Sequence, residues 1–185
     1  MTDASKPPAA IIAKPKRLKH FLLAVAIIFA AGFLIPENAA IPVAGATRGD
    51  WNPRSFWFEP WGVSGVHKGI DIFAREGTDV LAATPSVVLY RGQWRDGGNV
   101  LIALGPKWRL HYYAHLLDFG QETPIFIARG TAIGRVGSSG NAIGKAPHLH
   151  YSIVSLLPIP WLYSRATQGW KRMFYLDPGA AIAGE

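Results

Sequence analysis

Gly144-Lys145-Ala146-Pro147-His148-Leu149-His150-Tyr151-Ser152-Ile153 decides how the rest of the chain is read. The residues after Pro147 predict a short β-strand, and a strand sends residues two apart to the same face, so His148 and His150 are expected side by side. Neutral imidazole is the commonest protein metal ligand, and such a pair suits one metal ion, or one ligand plus one acid/base group. A surface strand that happens to carry two histidines fits the same pattern. The rest of the sequence has to supply the other ligands.

The nearest source upstream is Gly62-Val63-Ser64-Gly65-Val66-His67-Lys68-Gly69-Ile70-Asp71-Ile72-Phe73. His67 and Asp71 lie four apart, on one face of an extended chain, and Gly69 between them lets the backbone bend or approach a neighbour closely. Between these two stretches, turn residues cut the chain into short strands. Residues 79–91 read as two pieces broken at Pro85, Asp96-Gly97-Gly98-Asn99 as a turn into a strand over 100–104, and residues 108–116 as a strand with His111 and His115 on one parity. Residues 130–137 add another short strand. The Gly-rich 137–144 loop fails as a phosphate cradle, because Ser139 stands where a P-loop has Gly and Ala146 where it has Ser or Thr.

With 185 residues, 20 Gly and 14 Pro, the chain fits one loop-rich, mostly β domain plus a short extra segment. The formal charge of +7 does not indicate nucleic-acid binding. Five of the 19 Lys/Arg fall in residues 1–20 with only one of the 12 acids, leaving 14 bases, 11 acids and no basic run in the remainder. The absence of cysteine excludes disulfides and thiolate metal sites, so a metal here must use His and carboxylates.

Residues 1–20 are basic and Pro-containing, and residues 21–35 (FLLAVAIIFAAGFLI) are unbroken apolar, the pattern of an export signal with the basic flank on the cytoplasmic side. The 15-residue run is short for a bilayer span and close to a signal-peptide core. Asn38-Ala39-Ala40 and Ala44-Gly45-Ala46 resemble cleavage sites, whereas the long basic region is typical of uncleaved anchors, so cleavage and retention both stay open. Residues 36–50 are expected to be a linker and 51–183 the domain, whose entrance is packed by Trp51, Phe56, Trp57, Phe58 and Trp61. Residues 156–175 form an apolar, aromatic insertion, read as a loop packed on the domain or as a surface presenting Trp161, Tyr163 and Trp170 to a membrane or partner.

The order His67-x3-Asp71, Tyr113-Ala114-His115-Leu116, His148-x-His150 resembles the lysostaphin-type, LytM-like zinc metallopeptidases, and the resemblance covers about residues 62–154. Glu76-Gly77-Thr78-Asp79-Val80-Leu81-Ala82-Ala83 and the Gly137–Gly140 loop are similar to the family's intervening segments. The resemblance implies a mainly β fold, a compact two-layer β-sandwich/barrel hybrid, here with an N-terminal hydrophobic helix. It implies one Zn2+ held by His67, Asp71 and His150, with His115 and His148 catalytic beside it. A His2Asp set leaves one position for water, as catalytic zinc requires. His111 lacks the Ala-His-Leu context and is expected to face a neighbouring strand. The implied activity is hydrolysis of the peptide cross-links of bacterial peptidoglycan by an exported protein, either secreted or held in the inner membrane through residues 21–35. A catalytically silent module regulating another wall hydrolase, and a peptidase acting on extracellular glycine-rich peptides, are the alternatives. Thr84-Pro85-Ser86, where family members often carry Asp-Gly, and the insertion after Val154 depart from the pattern.

Overall fold

The computed structural model of the protein describes residues 16–120 and 123–182. Among the described residues nine strands follow an apolar helix, α1 (Lys16–Leu34): β1 (Ile70–Phe73), β2 (Asp79–Leu81), β3 (Ser86–Trp94), β4 (Gly98–Gly105), β5 (Arg109–Phe119), β6 (Phe126–Ile127), β7 (Ala132–Val136), β8 (His148–Ser155) and β9 (Tyr175–Leu176), with a short α2 (Pro178–Ile182) after them. The break at Pro85, the turn at Asp96-Gly97 and the strand after Pro147 all lie where the turn residues predict them.

Every pairing is antiparallel, and the main path runs β1-β8-β5-β4-β3-β6. The long strand β5 serves two neighbours. Residues 109–114 pair with β8, and residues 116–119 pair with β7, to which β2 adds. The layers expected from the resemblance are thus parts of one continuous hydrogen-bonded sheet, and the mainly β architecture with an apolar N-terminal helix stands.

Alternation along β1 and β8 sorts the side chains. Ile70, Ile72, Leu149, Tyr151 and Ile153 are in the core, which leaves Asp71, His148, His150 and Ser152 on the opposite face. Gly69 lets β1 lie this close to β8, because a Cβ there would sit 2.4 Å from the Tyr151 carbonyl and 2.5 Å from Ser152 Oγ.

Residues 36–50, expected as a linker, are built into the domain. Ala39 and Val43 are core residues, Val43 bridges to Val80, and the Ala40 amide donates to the Ala83 carbonyl at 2.9 Å. Glu37 pairs with Arg109, its carboxylate 3.6 Å from His111. The insertion packs on the domain through a Trp57 Nε1 hydrogen bond to the Thr167 carbonyl (3.2 Å) and a Gln168 bond to the Ser64 carbonyl (2.8 Å), while Trp161, Tyr163 and Trp170 stay exposed.

His111 is fully buried, bonded to Tyr151 Oη at 2.7 Å and to Thr84 Oγ1 at 3.2 Å. Burial and the Arg109 cation push its pKa down to about 4.

Two stability measurements test this packing. Gly69→Ala is expected to lower the unfolding free energy by about 1–3 kcal/mol in denaturant titrations, since the new methyl meets backbone rather than a yielding side-chain end; an unchanged midpoint refutes the close-approach account. For His111, the unfolded chain takes up a proton below about pH 6.5 while the folded chain does not until about pH 4. Its contribution to stability is therefore full above that window and declines as pH falls through it, by up to about 1.4 kcal/mol per pH unit. Glu37, raised by burial, titrates with the opposite sign. The quantity to measure is the difference between parent and His111→Gln, whose stability is expected to vary less between pH 6.5 and 4.

Candidate metal centre

The site begins with register. Asp71 of β1 and His150 of β8 are cross-strand partners, as are Phe73 and His148, so the two strands present the carboxylate and both imidazoles to one face. His67 enters from the loop before β1. Its ring stacks on Trp61 with centroids 4.0 Å apart and planes at 22°, and its Nδ1 lies 3.0 Å from the Ser55 carbonyl.

Three ligand atoms converge. His67 Nε2 is 3.1 Å from Asp71 Oδ1 and 3.1 Å from His150 Nδ1, and His150 Nδ1 is 2.8 Å from Asp71 Oδ1. The Ser55 carbonyl can only accept, so a neutral His67 carries its proton on Nδ1 and turns a lone pair from Nε2 toward the carboxylate. Burial pushes the Asp71 carboxyl up, but its contacts with the His150 and His67 imidazoles outweigh it and hold the group well below the usual carboxylate range. Two acceptors facing each other at 3.1 Å call for a cation between them. The spacings are slightly tighter than the roughly 3.3 Å edges of a tetrahedron with 2.0–2.1 Å bonds, so the donor set suits zinc in type, number and size. Asp71 and His150 keep 14 % and 17 % of their side-chain surface exposed, which leaves the site reachable.

His115 and His148 flank this cluster. The His115 ring lies 5.1 Å from that of His148 and 5.9 Å from that of His150, and His148 Nε2 is 4.0 Å from Asp71 Oδ1. Each is oriented by a main-chain carbonyl: His115 Nδ1 by Ser139 (2.9 Å) and His148 Nδ1 by Ala146 (2.8 Å), leaving both Nε2 atoms free of that bond. Burial, with the neighbouring His150, pushes the His115 pKa down to about 4.

Parity predicts His115 on the same side as His111, and the structure shows them apart. His111 faces the interior. A bulge between Asn99 and Leu101 shifts the β4–β5 register, and His115 adopts left-handed backbone (φ 62°) while its amide donates to the Gly97 carbonyl. Bulges of this kind re-aim side chains beside active sites.

Other participants are not evident from motifs. Ser152 Oγ is 3.1 Å from His150 Nε2, Tyr112 meets the His150 ring edge-to-face at 6.0 Å, and Ser139 ties the 137–144 loop to β4 and β5 by accepting from the Asn99 amide and donating to the Leu116 carbonyl. Ser152 had a legible signal, since it shares strand parity with His150. The carbonyls of Ser55, Ser139 and Ala146 had none, because any residue supplies a carbonyl.

The model of peptidase family M23 matches residues 65–157. The L-Ala–D-Glu endopeptidase of Bacillus subtilis is 38 % identical over 115 residues, which cover 57 % of this chain and 35 % of that protein. Lysostaphin of Staphylococcus staphylolyticus is 33 % identical over 95 residues, 50 % of this chain and 19 % of that one. The alignments thus span about a third or less of these curated relatives. In fold, the catalytic domain of lysostaphin from Staphylococcus simulans superposes with a TM-score of 0.58 at 23 % identity, covering 74 % of this chain and 96 % of that domain. Since that family model covers half of the chain, the chain belongs to peptidase family M23.

Proposed function

We propose that the protein is a zinc-dependent endopeptidase that hydrolyses peptide cross-links of bacterial peptidoglycan and works outside the cytoplasm. The observation that carries this is the convergence of His67 Nε2, Asp71 Oδ1 and His150 Nδ1 beside two further imidazoles. Relatives named for cutting L-Ala–D-Glu bonds, and lysostaphin, support the substrate class.

His67, Asp71 and His150 would hold the metal. Bound there, zinc supplies Lewis acidity toward a peptide carbonyl and makes water nucleophilic at neutral pH. The protein's own part falls to His115 and His148. With each Nδ1 proton committed to a carbonyl, each Nε2 keeps a lone pair toward the site and can accept a proton from the attacking water. The imidazolium formed then donates to the developing oxyanion or to the leaving amine. The low pKa of His115 keeps it neutral, and so able to accept, at physiological pH.

The composition of α1 supports export. Arg17–Leu34, 18 of the 19 described residues of α1, are long and apolar enough to cross a membrane and 6 % buried. The first described turn, from Lys16, adds residues to the 15-residue apolar run, and the 19 residues reach about 28 Å. We read it as a retained anchor, because the residues that follow it are core residues rather than a removable stalk.

The deciding experiment is zinc content together with amine release from purified peptidoglycan, on the full chain in detergent. The parent is expected to hold about one zinc. His150→Ala loses the metal, and His115→Ala keeps it while amine release drops by about 10²–10⁴. A parent that binds no zinc, or binds it and releases no amine in the presence of substrate, overturns the enzyme reading in favour of a silent module.

A further inference from the structure

α1 is docked on the domain at one defined place. Its last turns meet the β4–β5 turn, where Trp108 stacks on Phe29 (5.5 Å, 15°) and donates from Nε1 to the Phe29 carbonyl at 2.7 Å. Gly32 makes room for this contact, since a Cβ there would sit 2.5 Å from the Trp108 ring. Lys107 and Trp108 both adopt left-handed backbone to bring the indole onto the helix. Three residues beyond the helix, Glu37 is ion-paired to Arg109, so little slack separates helix from sheet.

An apolar surface surrounds this foot. A cleft of about 460 Å³ opens between Gly32 of α1 with Ile35 just after it and the part of the domain formed by Pro85, Val87, Trp108 and Phe126. Phe126 is 77 % exposed and Ile125 65 %, and the Leu156 amide bonds the Trp108 carbonyl with Leu156 and Leu157 both exposed beside it. Water is a poor neighbour for so much contiguous apolar surface. Both departures from the family pattern noted in the sequence, Pro85 and the first residues of the insertion, fall here.

We propose that this face is seated on the lipid bilayer that holds α1, with Trp108 and Phe126 at the interfacial level and part of a lipid acyl chain in the cleft. The inference rests on the reading of α1 as a membrane anchor. Continuity selects lipid over a protein partner: one wall of the cleft is the last turn of α1, and whatever surrounds that turn also meets Phe126. A tryptophan beside the end of a span suits the interface. The metal centre lies at the other end of the sheet. β4 and β5 pair from Gly105↔Arg109 at the foot to Asn99↔Leu116 beside the site, and the seven residues from Arg109 to His115 span about 20 Å. Seated this way, the site stands off the bilayer and faces outward.

The protein has no cysteine, so single Cys substitutions carry a fluorophore at one known position. The full chain, reconstituted in phosphatidylcholine/phosphatidylglycerol vesicles, would be labelled at Leu23→Cys in the helix, at Phe126→Cys in the proposed seat, or at Ile143→Cys, exposed on the loop at the metal-centre end. Lipids with a nitroxide near the headgroup or within the acyl chain act as quenchers. Loss of fluorescence for Leu23 and Phe126 labels, with Ile143 unaffected, is expected. A Phe126 label quenched no more than the Ile143 label while Leu23 is quenched overturns the seat and leaves the anchor standing; Leu23 and Phe126 both unquenched overturns the anchor and the seat together.

Discussion

Two imidazoles and a carboxylate brought within 3.1 Å of one another are the constraint on which the rest of the structure depends. His67 Nε2 and the Asp71 carboxylate face each other as acceptors, so the fold must hold these two together without help from their mutual contact. It does so with strand register. Asp71 and His150 are opposite each other on adjacent antiparallel strands, and the same alternation puts Ile70, Ile72, Leu149, Tyr151 and Ile153 into the core on the reverse face. A one-residue slip would send the apolar set outward and the ligands inward, so core burial fixes the geometry of the metal centre.

The second nitrogen of each imidazole matters as much as the first. Main-chain carbonyls of Ser55, Ser139 and Ala146 hold His67, His115 and His148 through Nδ1, and Ser152 meets Nε2 of His150. His150 therefore turns the opposite nitrogen to the cluster from His67. Such outer contacts set tautomer and ring orientation, and three of the four belong to loops rather than strands. The loops before β1, between β7 and β8, and at the β3–β4 turn are thus parts of the site although they carry few of its named residues.

Much of this was legible because it depends on period and punctuation. The Pro85 break, the Asp96-Gly97 turn, the His148/His150 face and the His67–Asp71 pair all follow from residue type and a two-residue repeat. What was not legible depends on tertiary contacts that override that repeat. His115 reaches the site only because a bulge and a left-handed φ of 62° reverse its parity, and nothing in Tyr113-Ala114-His115-Leu116 announces a bulge. Residues 36–50 read as a linker because Pro, Gly and Ala are common there, yet small side chains are also what a segment needs to lie flat against β2, as Ala39 and Val43 do.

The strand β5 joins the two ends of the molecule. It starts at Arg109, whose partner Glu37 stands three residues beyond α1, and it carries His115 near its far end. Between them His111 is locked to Tyr151 and Thr84 in the interior, and each residue from 109 to 114 is paired with β8. A strand paired on both sides bends little over that length, so the position of the helix end is passed to the site with no flexible joint between. On the proposed reading, an anchored protein acting on an extended network, a fixed distance between anchor and site determines which bonds come within reach. For this chain that distance is set by the stretch of β5 that runs from Arg109 to His115.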